Sequence, residues 1–347
     1  MLPVIWFCIV AVMIAVYVVL DGFDLGAGIV HLGVARTDAE RRAVLQSIGP
    51  VWDGNEVWLL AGGGALYFAF PALYASAFSG FYLPLMIVLW LLVLRGAAVE
   101  FRSHLDNPVW RPLWDVVFSF ASALLAVFFG AALGNVVRGV PLDANGEFFL
   151  PLWTNFLPGP NPGILDWYTI LVGVFALLTL TQHGALWVAY KTEREISARA
   201  SQIARTAWYG VALLTVVVTA VSFSIQPHLA DSFAALPAGY IFPALALAGL
   251  AGIFIFNRKQ QELKAFLSSG VYIIGMLTSV VFGVFPLVLP ANSDPAYSLT
   301  IVNASAPAYG LQIGLMWFTP GILLALGYHV FLYRKFAGKV RVEGSGY

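Results

Sequence analysis

The sequence predicts an all-α fold, a polytopic bundle of about nine transmembrane helices that forms one integral membrane domain over residues 1–347. Of the 347 residues, 60% are hydrophobic and only 10% are charged, whereas a soluble domain carries about 25% charged residues. The mean hydropathy is +0.83. Apolar windows recur along the whole chain, and the cationic residues cluster in alternate connections between them, which is typical of a protein that crosses a bilayer many times.

A helix needs about 20 mostly apolar residues to cross a bilayer. The second window opens at Gly49-Pro50, and proline suits the first turn of a helix; the third follows Pro71 and the fourth follows Pro112. The nine windows are roughly 4–34, 50–71, 75–99, 113–136, 165–190, 206–225, 238–257, 265–289 and 309–333.

The first window is interpreted as a transmembrane helix that is retained in the mature protein, rather than as a cleaved signal peptide. Met1 to Trp6 lack the basic region that opens a secretory signal, and the apolar stretch runs on to Val34, which is too long for a signal core. Cys8 is the only cysteine. The chain by itself therefore cannot build a disulfide or a cysteine-based metal cluster.

The positions of the cations predict an orientation. Of the 18 Lys and Arg residues, 17 fall in alternate connections, and only Arg138 lies on the other side. This count includes Arg95, Arg102 and Arg111, which are placed at the end of the third window and in the connection after it. Because cytoplasmic loops are enriched in Lys and Arg, the pattern predicts an outside N-terminus, a cytoplasmic C-terminus and an odd number of spans.

The connections on the other side, 138–164, 226–237 and 290–308, are too short to form a domain. Small residues allow membrane helices to pack closely. Positions that allow such an approach are Gly26, Gly28, Gly33, Gly130 and Gly134, and the run Gly62-Gly63-Gly64 is interpreted in the same way rather than as a nucleotide-binding loop.

Carboxylates inside the windows need an explanation, because an ionised group at the centre of a membrane helix costs about 2.5–3.5 kcal/mol on insertion scales. Asp21 and Asp24 lie in the first window, Asp53 and Glu56 begin the second, and Glu100 ends the third. The spacing i, i+3 places the members of each pair on one helix face.

Helical rise gives the depth of these acids. Asp24 lies roughly 18 Å from Arg36, and Asp53 at most about 16 Å from Arg42, at 1.5 Å per residue. Glu100 lies at the edge, beside Arg102. Carboxylates at graded depths, open to one side, suit a proton-uptake path. In the alternative interpretation these acids are structural and bond indoles, amides or the arginine of a partner.

Histidines are considered because haem and copper sites need them. His31, His183 and His329 lie in windows, but no two histidines share a helix at ligand spacing. His183 is the one candidate ligand, although a hydrogen-bonded packing role is favoured. No metal site is predicted, and zero net charge gives no reason to expect nucleic acid. Most tryptophans of this chain are assigned to the interfacial aromatic belt. Trp52 and Trp58 are candidates for a functional role, because they flank Asp53 inside a membrane segment.

Long motifs in the first 140 residues resemble subunit II of the cytochrome bd-type quinol oxidases, and the second half agrees in span layout and patchily in sequence. The motifs are Asp21-Gly22-Phe23-Asp24-Leu25-Gly26, Trp52-Asp53-Gly54-Asn55-Glu56-Val57-Trp58-Leu59, Gly63-Gly64-Ala65-Leu66, Ala77-Phe78-Ser79-Gly80-Phe81-Tyr82, Arg95-Gly96-Ala97-Ala98-Val99-Glu100-Phe101-Arg102, Trp114-Asp115, Gly134-Asn135, Gly139-Val140-Pro141 and Phe285-Pro286.

The resemblance implies a multi-pass subunit of the bacterial plasma membrane without a complete active site of its own. Its partner, subunit I, would hold haem b, usually haem d, and the site for the quinol, either ubiquinol or menaquinol; a small accessory membrane subunit would be a further partner. The complex would reduce oxygen to water with protons taken from the cytoplasm, which builds a proton-motive force.

The resemblance also implies roles for single residues. Asp53 and Glu100 match positions thought to line the proton route, although the family often has Asp where Glu100 stands. Asp24 matches an acid of the first motif, and Asp21, Trp52, Asn55, Glu56 and Trp58 are supporting motif residues.

Two other functions remain as alternatives. A proton- or cation-coupled secondary transporter would also need buried carboxylates, but carriers usually show broken helices in related positions of two repeats. Here the acids cluster in one half, and no repeat is found. A purely structural scaffold for the haem-bearing subunit differs from the first interpretation only in whether the acids conduct protons.

Overall fold

Apolar runs in a bilayer fold as helices because each backbone N–H and C=O group must find its partner within the segment. The structure, a computed structural model, describes residues 1–159 and 161–340. The α-helices in these ranges are α1 (Leu2–Val34), α2 (Asp38–Ile48), α3 (Trp52–Ala69), α4 (Pro71–Gly80), α5 (Tyr82–Phe101), α6 (Trp110–Arg138), α7 (Trp167–Lys191), α8 (Arg194–Ile225), α9 (His228–Ala235), α10 (Ile241–Arg258), α11 (Glu262–Val284) and α12 (Ala308–Lys335).

The described residues contain eight helices that are long and apolar enough to cross a membrane. They are α1, α5, α6, α7, α8, α10 together with the 3-10 turn that precedes it, α11 and α12. The predicted second window falls on α3, whose 18 residues include Asp53 and Glu56 and are therefore less apolar. The prediction of an all-α, polytopic membrane bundle is confirmed.

Three predicted windows were wrong in their bounds. The window 75–99 is not one helix, because α4 ends at Gly80 and α5 begins at Tyr82. Pro84 has no N–H group to donate to the Gly80 carbonyl, which instead accepts from the backbone N–H of Leu150 at 3.3 Å. The window 265–289 ends early for a similar reason: α11 stops at Val284, just before Phe285-Pro286.

The residues after α11 form a small sheet instead. Strand β1 (Leu287–Leu289) pairs antiparallel with β2 (Leu299–Thr300), with Leu287 opposite Thr300 and Leu289 opposite Leu299. Helix α8 begins at Arg194, well before the predicted start at 206, because its first turns are polar and escape a search for apolar windows.

The short helix α2 was not predicted. Thr37 and Glu40 form a capping box at its start, which satisfies two backbone donors that would otherwise be free. Near its end, the Ser47 carbonyl accepts from Trp187 Nε1 at 3.1 Å. Helix α2 therefore folds back along α1 and α7. Helix α3 begins at the level of Asp24 of α1, to which Asn55 in its first turn donates a hydrogen bond.

The connections between helices gather at two ends of the bundle. At one end, the guanidinium of Arg199 donates to Glu40 at 2.6 Å, and Lys339 Nζ donates to Glu262 at 2.7 Å. At the opposite end, the backbone N–H of Ala306 donates to the Ala69 carbonyl at 2.9 Å. The grouping agrees with the alternation of the cations.

The orientation of the termini stays a prediction. Residues 341–347 of the predicted domain, including Arg341, lie outside the described residues, and so does Pro160 of the connection 138–164.

Glycines bring several helices into close contact. Gly26 of α1 lies directly against Gly184 of α7, so a side chain at either position would overlap the other backbone. The predictions for Gly28, Gly130 and Gly134 are also confirmed, because a Cβ there would crowd Ser122, α7 and Thr169 respectively. Three predictions were wrong: among the described residues, Gly33 has only ordinary contacts, and Gly63 and Gly64 face open space.

The predicted orientation can be tested with single cysteines in a Cys8→Ser background. Ala144 and Ala337 are both exposed and lie in connections at opposite ends. We expect an impermeant maleimide to label Ala144→Cys in intact spheroplasts, and Ala337→Cys only after the membrane is opened. The Cys8→Ser chain without a new cysteine is the control. Labelling of both positions in intact spheroplasts would contradict the predicted topology.

Candidate functional site

Arg95 of α5 joins acids from two other helices inside the bundle. Its side chain is 2% exposed; Nη1 donates to Asp21 Oδ1 at 2.6 Å and Nη2 donates to Glu56 Oε2 at 2.8 Å. The count of Arg95 among the cations of the connections was therefore wrong, because Arg95 is buried within α5, before the helix ends at Phe101. A guanidinium is always charged, and at this depth it is tolerated only because the two carboxylates compensate it.

Asp24 and Asn55 extend this cluster towards the last helix. Asp24 is 1% exposed. Asn55 Nδ2 donates to Asp24 Oδ2 at 2.7 Å, and Tyr333 Oη of α12 donates to Asn55 Oδ1 at 2.8 Å. Asn55 thus bridges α1 and α12. Asp21, Asp24, Asn55, Glu56, Arg95 and Tyr333 are referred to below as the buried polar cluster.

The buried polar cluster has more acids than bases. Asp21 and Glu56 accept hydrogen bonds from the single guanidinium of Arg95, whereas Asp24 accepts only from the neutral amide of Asn55. An uncompensated carboxylate is costly in an apolar interior, whereas a protonated carboxyl group is not. The charge balance of the cluster therefore favours a proton on one of its acids.

Asp53 and Glu100 lie outside the cluster. Both are exposed on this chain, Asp53 in the first turn of α3 and Glu100 in the last turn of α5. The contact between Asn55 and Asp24 brings the first turn of α3 to the level of Asp24, which precedes the end of α1 by roughly 15 Å of helical rise. Asp53 therefore lies further from this end of the bundle, along the helix axes, than Glu100 does.

The two predicted tryptophans pack around the cluster. The Arg95 guanidinium lies 6.0 Å from the centroid of the Trp52 ring, within the range of a cation–π interaction. Trp58 Nε1 donates to His329 Nε2 of α12 at 3.0 Å. Trp58 thus fixes α3 against α12, on the same side as the bond between Tyr333 and Asn55.

His183 of α7 does not offer a haem ligand. It is fully buried; Nε2 donates to the Val19 carbonyl at 2.9 Å, and Nδ1 lies 2.6 Å from Ser269 Oγ. The ring also stacks on Phe266 at 4.9 Å between centroids. Both nitrogens are engaged and the ring face is covered, so the site has neither a free nitrogen nor room for a macrocycle.

Three members of the site were not predicted from the sequence: Arg95, Tyr333 and His329. Arg95 had a recognisable signal, because it stands inside an apolar run that follows two acid-bearing helices. Tyr333 and His329 are spaced by one turn of α12, but nothing local relates either of them to Asn55 or Trp58.

Comparison with known proteins identifies this architecture. The sequence model of the family described as cytochrome bd terminal oxidase subunit II matches residues 2–336. The chain is 31% identical to "Probable cytochrome oxidase subunit 2" of Haemophilus influenzae, covering 97% of this chain and 94% of that protein. It is 32% identical to "Cytochrome bd ubiquinol oxidase subunit 2" of Bacillus subtilis, covering 89% and 88%, and 30% identical to "Cytochrome bd-I ubiquinol oxidase subunit 2" of Escherichia coli K12, covering 98% and 95%.

The fold also matches a solved structure, that of bd oxidase from Geobacillus thermodenitrificans, with a TM-score of 0.75 over 96% of this chain and 98% of the matched chain, at 18% identity. These findings do not support the secondary-transporter alternative. The chain belongs to the family of cytochrome bd terminal oxidase subunit II, and it is a multi-pass component of a haem-containing terminal quinol oxidase of the bacterial inner membrane, which includes at least one other subunit.

Proposed function

We propose that this chain lines a proton-uptake path from the cytoplasm towards the site of oxygen reduction, with Glu100 at the entrance, Asp53 deeper, and Asp24 as the acid that connects to the buried polar cluster. The observation that carries the proposal is the placement of the acids. Glu100 lies at the end of α5, Asp53 lies at the level of Asp24, and the cluster beyond them has three carboxylates for one guanidinium.

We propose further that the face of α3 that carries Asp53 packs against subunit I. Asp53 lies at membrane depth and is exposed on this chain, while its neighbours on α3, Val57 and Leu60, are 50% and 72% exposed. Lipid tails would suit the two apolar residues but could not stabilise the carboxylate. A protein surface that supplies polar groups at one level and apolar contacts at the next fits this face better.

The cofactors and substrates are assigned to the complex rather than to this chain. We propose that haem b and haem d are held by subunit I, which also provides the site for ubiquinol or menaquinol, and that a small accessory membrane subunit completes the assembly. The support from this chain is that His183 has no free ring nitrogen. Residues 1–347 act in this proposal as a single membrane domain.

Asp53→Asn and Glu100→Gln test the proton path, because both changes keep the shape of the side chain but remove its ionisation. We expect each variant oxidase to assemble with normal haem spectra and to consume oxygen about tenfold more slowly or worse, as for the loss of a proton-transferring group. Asp53→Asn should be the more severe, because water replaces a missing carrier less easily at its depth. Glu147→Gln in the exposed connection after α6 is the matched control.

Oxygen consumption with excess quinol and the membrane potential in proteoliposomes are the two measurements. Full turnover and full potential in both variants would remove Asp53 and Glu100 from the route. Loss of the haem spectra would instead favour the scaffold alternative, because the acid would then be holding the interface between subunits.

A further inference from the structure

A basic pocket lies at the end of the bundle where α1 and α5 end and α6 begins. Its volume is about 330 Å³. It takes no part in the proposed proton path, and its function does not depend on that path. The pocket is lined by Arg36, Asp38, Arg41, Arg102, Asp106, Asn107, Pro108, Arg111 and Pro112.

Arg102 anchors the pocket. It is 1% exposed; Nε donates to Asp115 Oδ1 at 2.8 Å and Nη2 donates to Asp38 Oδ1 at 2.8 Å. Its third nitrogen, Nη1, is buried and has no hydrogen-bond partner in the described part of the chain. A buried guanidinium N–H without an acceptor is costly. Because Arg102 also lines the pocket, acceptor oxygens of a ligand bound there would offset this cost.

The charges of the pocket favour an anion. Its lining has four arginines and two aspartates. Partial burial raises the pKa of Asp38, but the hydrogen bonds from Arg42 and Arg102 outweigh this effect and hold the pKa below its usual value. Asp38 is therefore counted as one of the negative charges of the lining. Arg36 is exposed, and its guanidinium has no ion pair among the residues described. Asp115 pairs with Arg41 and Arg102 behind the lining. With Asp115 included, the four arginines still outnumber the three aspartates, so the pocket is positive overall.

The surroundings of the pocket distinguish a lipid headgroup from a free anion. Below the pocket, α6 presents an exposed apolar row of Leu113, Val116 and Phe120, which are 52%, 53% and 59% exposed. Their spacing of three and four residues places them on one helix face that runs from the pocket into the membrane. An acyl chain could lie along this row while its headgroup occupies the pocket.

We propose that this pocket binds the phosphate of an anionic phospholipid headgroup, with Arg36, Arg102 and Arg111 as its donors and the outer face of α6 as the seat of an acyl chain. Arginine suits this role because its planar fork donates two parallel hydrogen bonds to phosphate oxygens. Basic pockets between transmembrane helices, on the cytoplasmic side of the membrane, bind anionic lipid headgroups in other proteins.

The test uses the purified oxidase complex, wild type and two variants, Arg36→Gln and Arg36→Gln/Arg111→Gln. The single change removes a charge without breaking an ion pair of the described chain. Lys259→Gln, an exposed cation at the same end, is the control. Native mass spectrometry measures phosphatidylglycerol retained after washing in detergent, and thermal melting measures the stabilisation by added phosphatidylglycerol, phosphatidylcholine or sodium phosphate.

We expect wild type and Lys259→Gln to retain phosphatidylglycerol and to melt at a higher temperature when it is added. Retention should be about tenfold lower or worse in the double variant and intermediate in Arg36→Gln, since each arginine near a membrane surface attracts anionic lipid. Equal retention in all four proteins would overturn the proposal. So would an equal stabilisation by sodium phosphate alone, which would indicate a free-anion site, or by phosphatidylcholine, which would show that the headgroup charge is not recognised.

Discussion

Replacing Arg95 with methionine is expected to prevent recovery of the assembled oxidase. The substitution roughly keeps the volume of the side chain but leaves Asp21 and Glu56 without the guanidinium that they now contact at 2.6 and 2.8 Å. Removal of one partner from a buried ion pair costs about 3–5 kcal/mol, because the remaining charge is left uncompensated. A loss of this size is comparable to much of the stability of a folded domain.

The amount of complex in the membrane, measured by the haem absorbance and by a tag on this chain, reports the effect. The matched control is the triple variant Asp21→Asn/Glu56→Gln/Arg95→Met, which removes all the charges together and should recover part of the yield. Arg95→Lys should be intermediate, because an ammonium group cannot donate in the fork geometry that reaches both acids. A normal yield of Arg95→Met alone would show that the acids do not depend on the guanidinium.

The second large effect is expected for Gly26→Ala. A Cβ at position 26 would overlap the Leu180 carbonyl and the backbone of Gly184, so the new methyl group meets backbone rather than a side chain that could rotate away. Helices α1 and α7 would have to separate along their central contact. We expect a loss of about 1–3 kcal/mol or more, the usual range for overpacking in a well-packed interior.

Gly63→Ala is the matched control for this change. It is also a glycine within a membrane helix, but a Cβ there would meet nothing within 4 Å. Alanine favours helix by about 0.5–1 kcal/mol relative to glycine, so the control should be neutral or slightly stabilising. The half-life of quinol oxidase activity at raised temperature separates the two variants. Equal half-lives for Gly26→Ala and wild type would show that α1 and α7 are not in direct backbone contact.

The sequence by itself was sufficient for the membrane class, the helical fold and the approximate position of most spans. The reason is that a bilayer leaves an apolar segment little choice, since its backbone groups must bond within the helix. Local rules also explain the start of α3 after Gly49-Pro50. At two of the places where the windows were wrong, Gly80 and Val284, a nearby proline removes a backbone donor. A count of apolar residues does not register this local signal.

The acids at membrane depth were equally visible in the sequence, because ionisable residues are rare in apolar runs. Helical periodicity placed Asp21 and Asp24 on one face, and the structure directs both into the bundle. Their proposed share in a proton path, with Asp53 and Glu100, stays a prediction.

Only the tertiary structure decided which groups these acids meet. Arg95 lies 74 residues from Asp21, and Tyr333 lies 278 residues from Asn55. Periodicity states which face of a helix is polar, but the partner opposite that face depends on how all the helices pack. That packing is set by contacts such as Gly26 against Gly184. Two small residues that are far apart in the chain must lie opposite each other there before either allows the helices to approach closely.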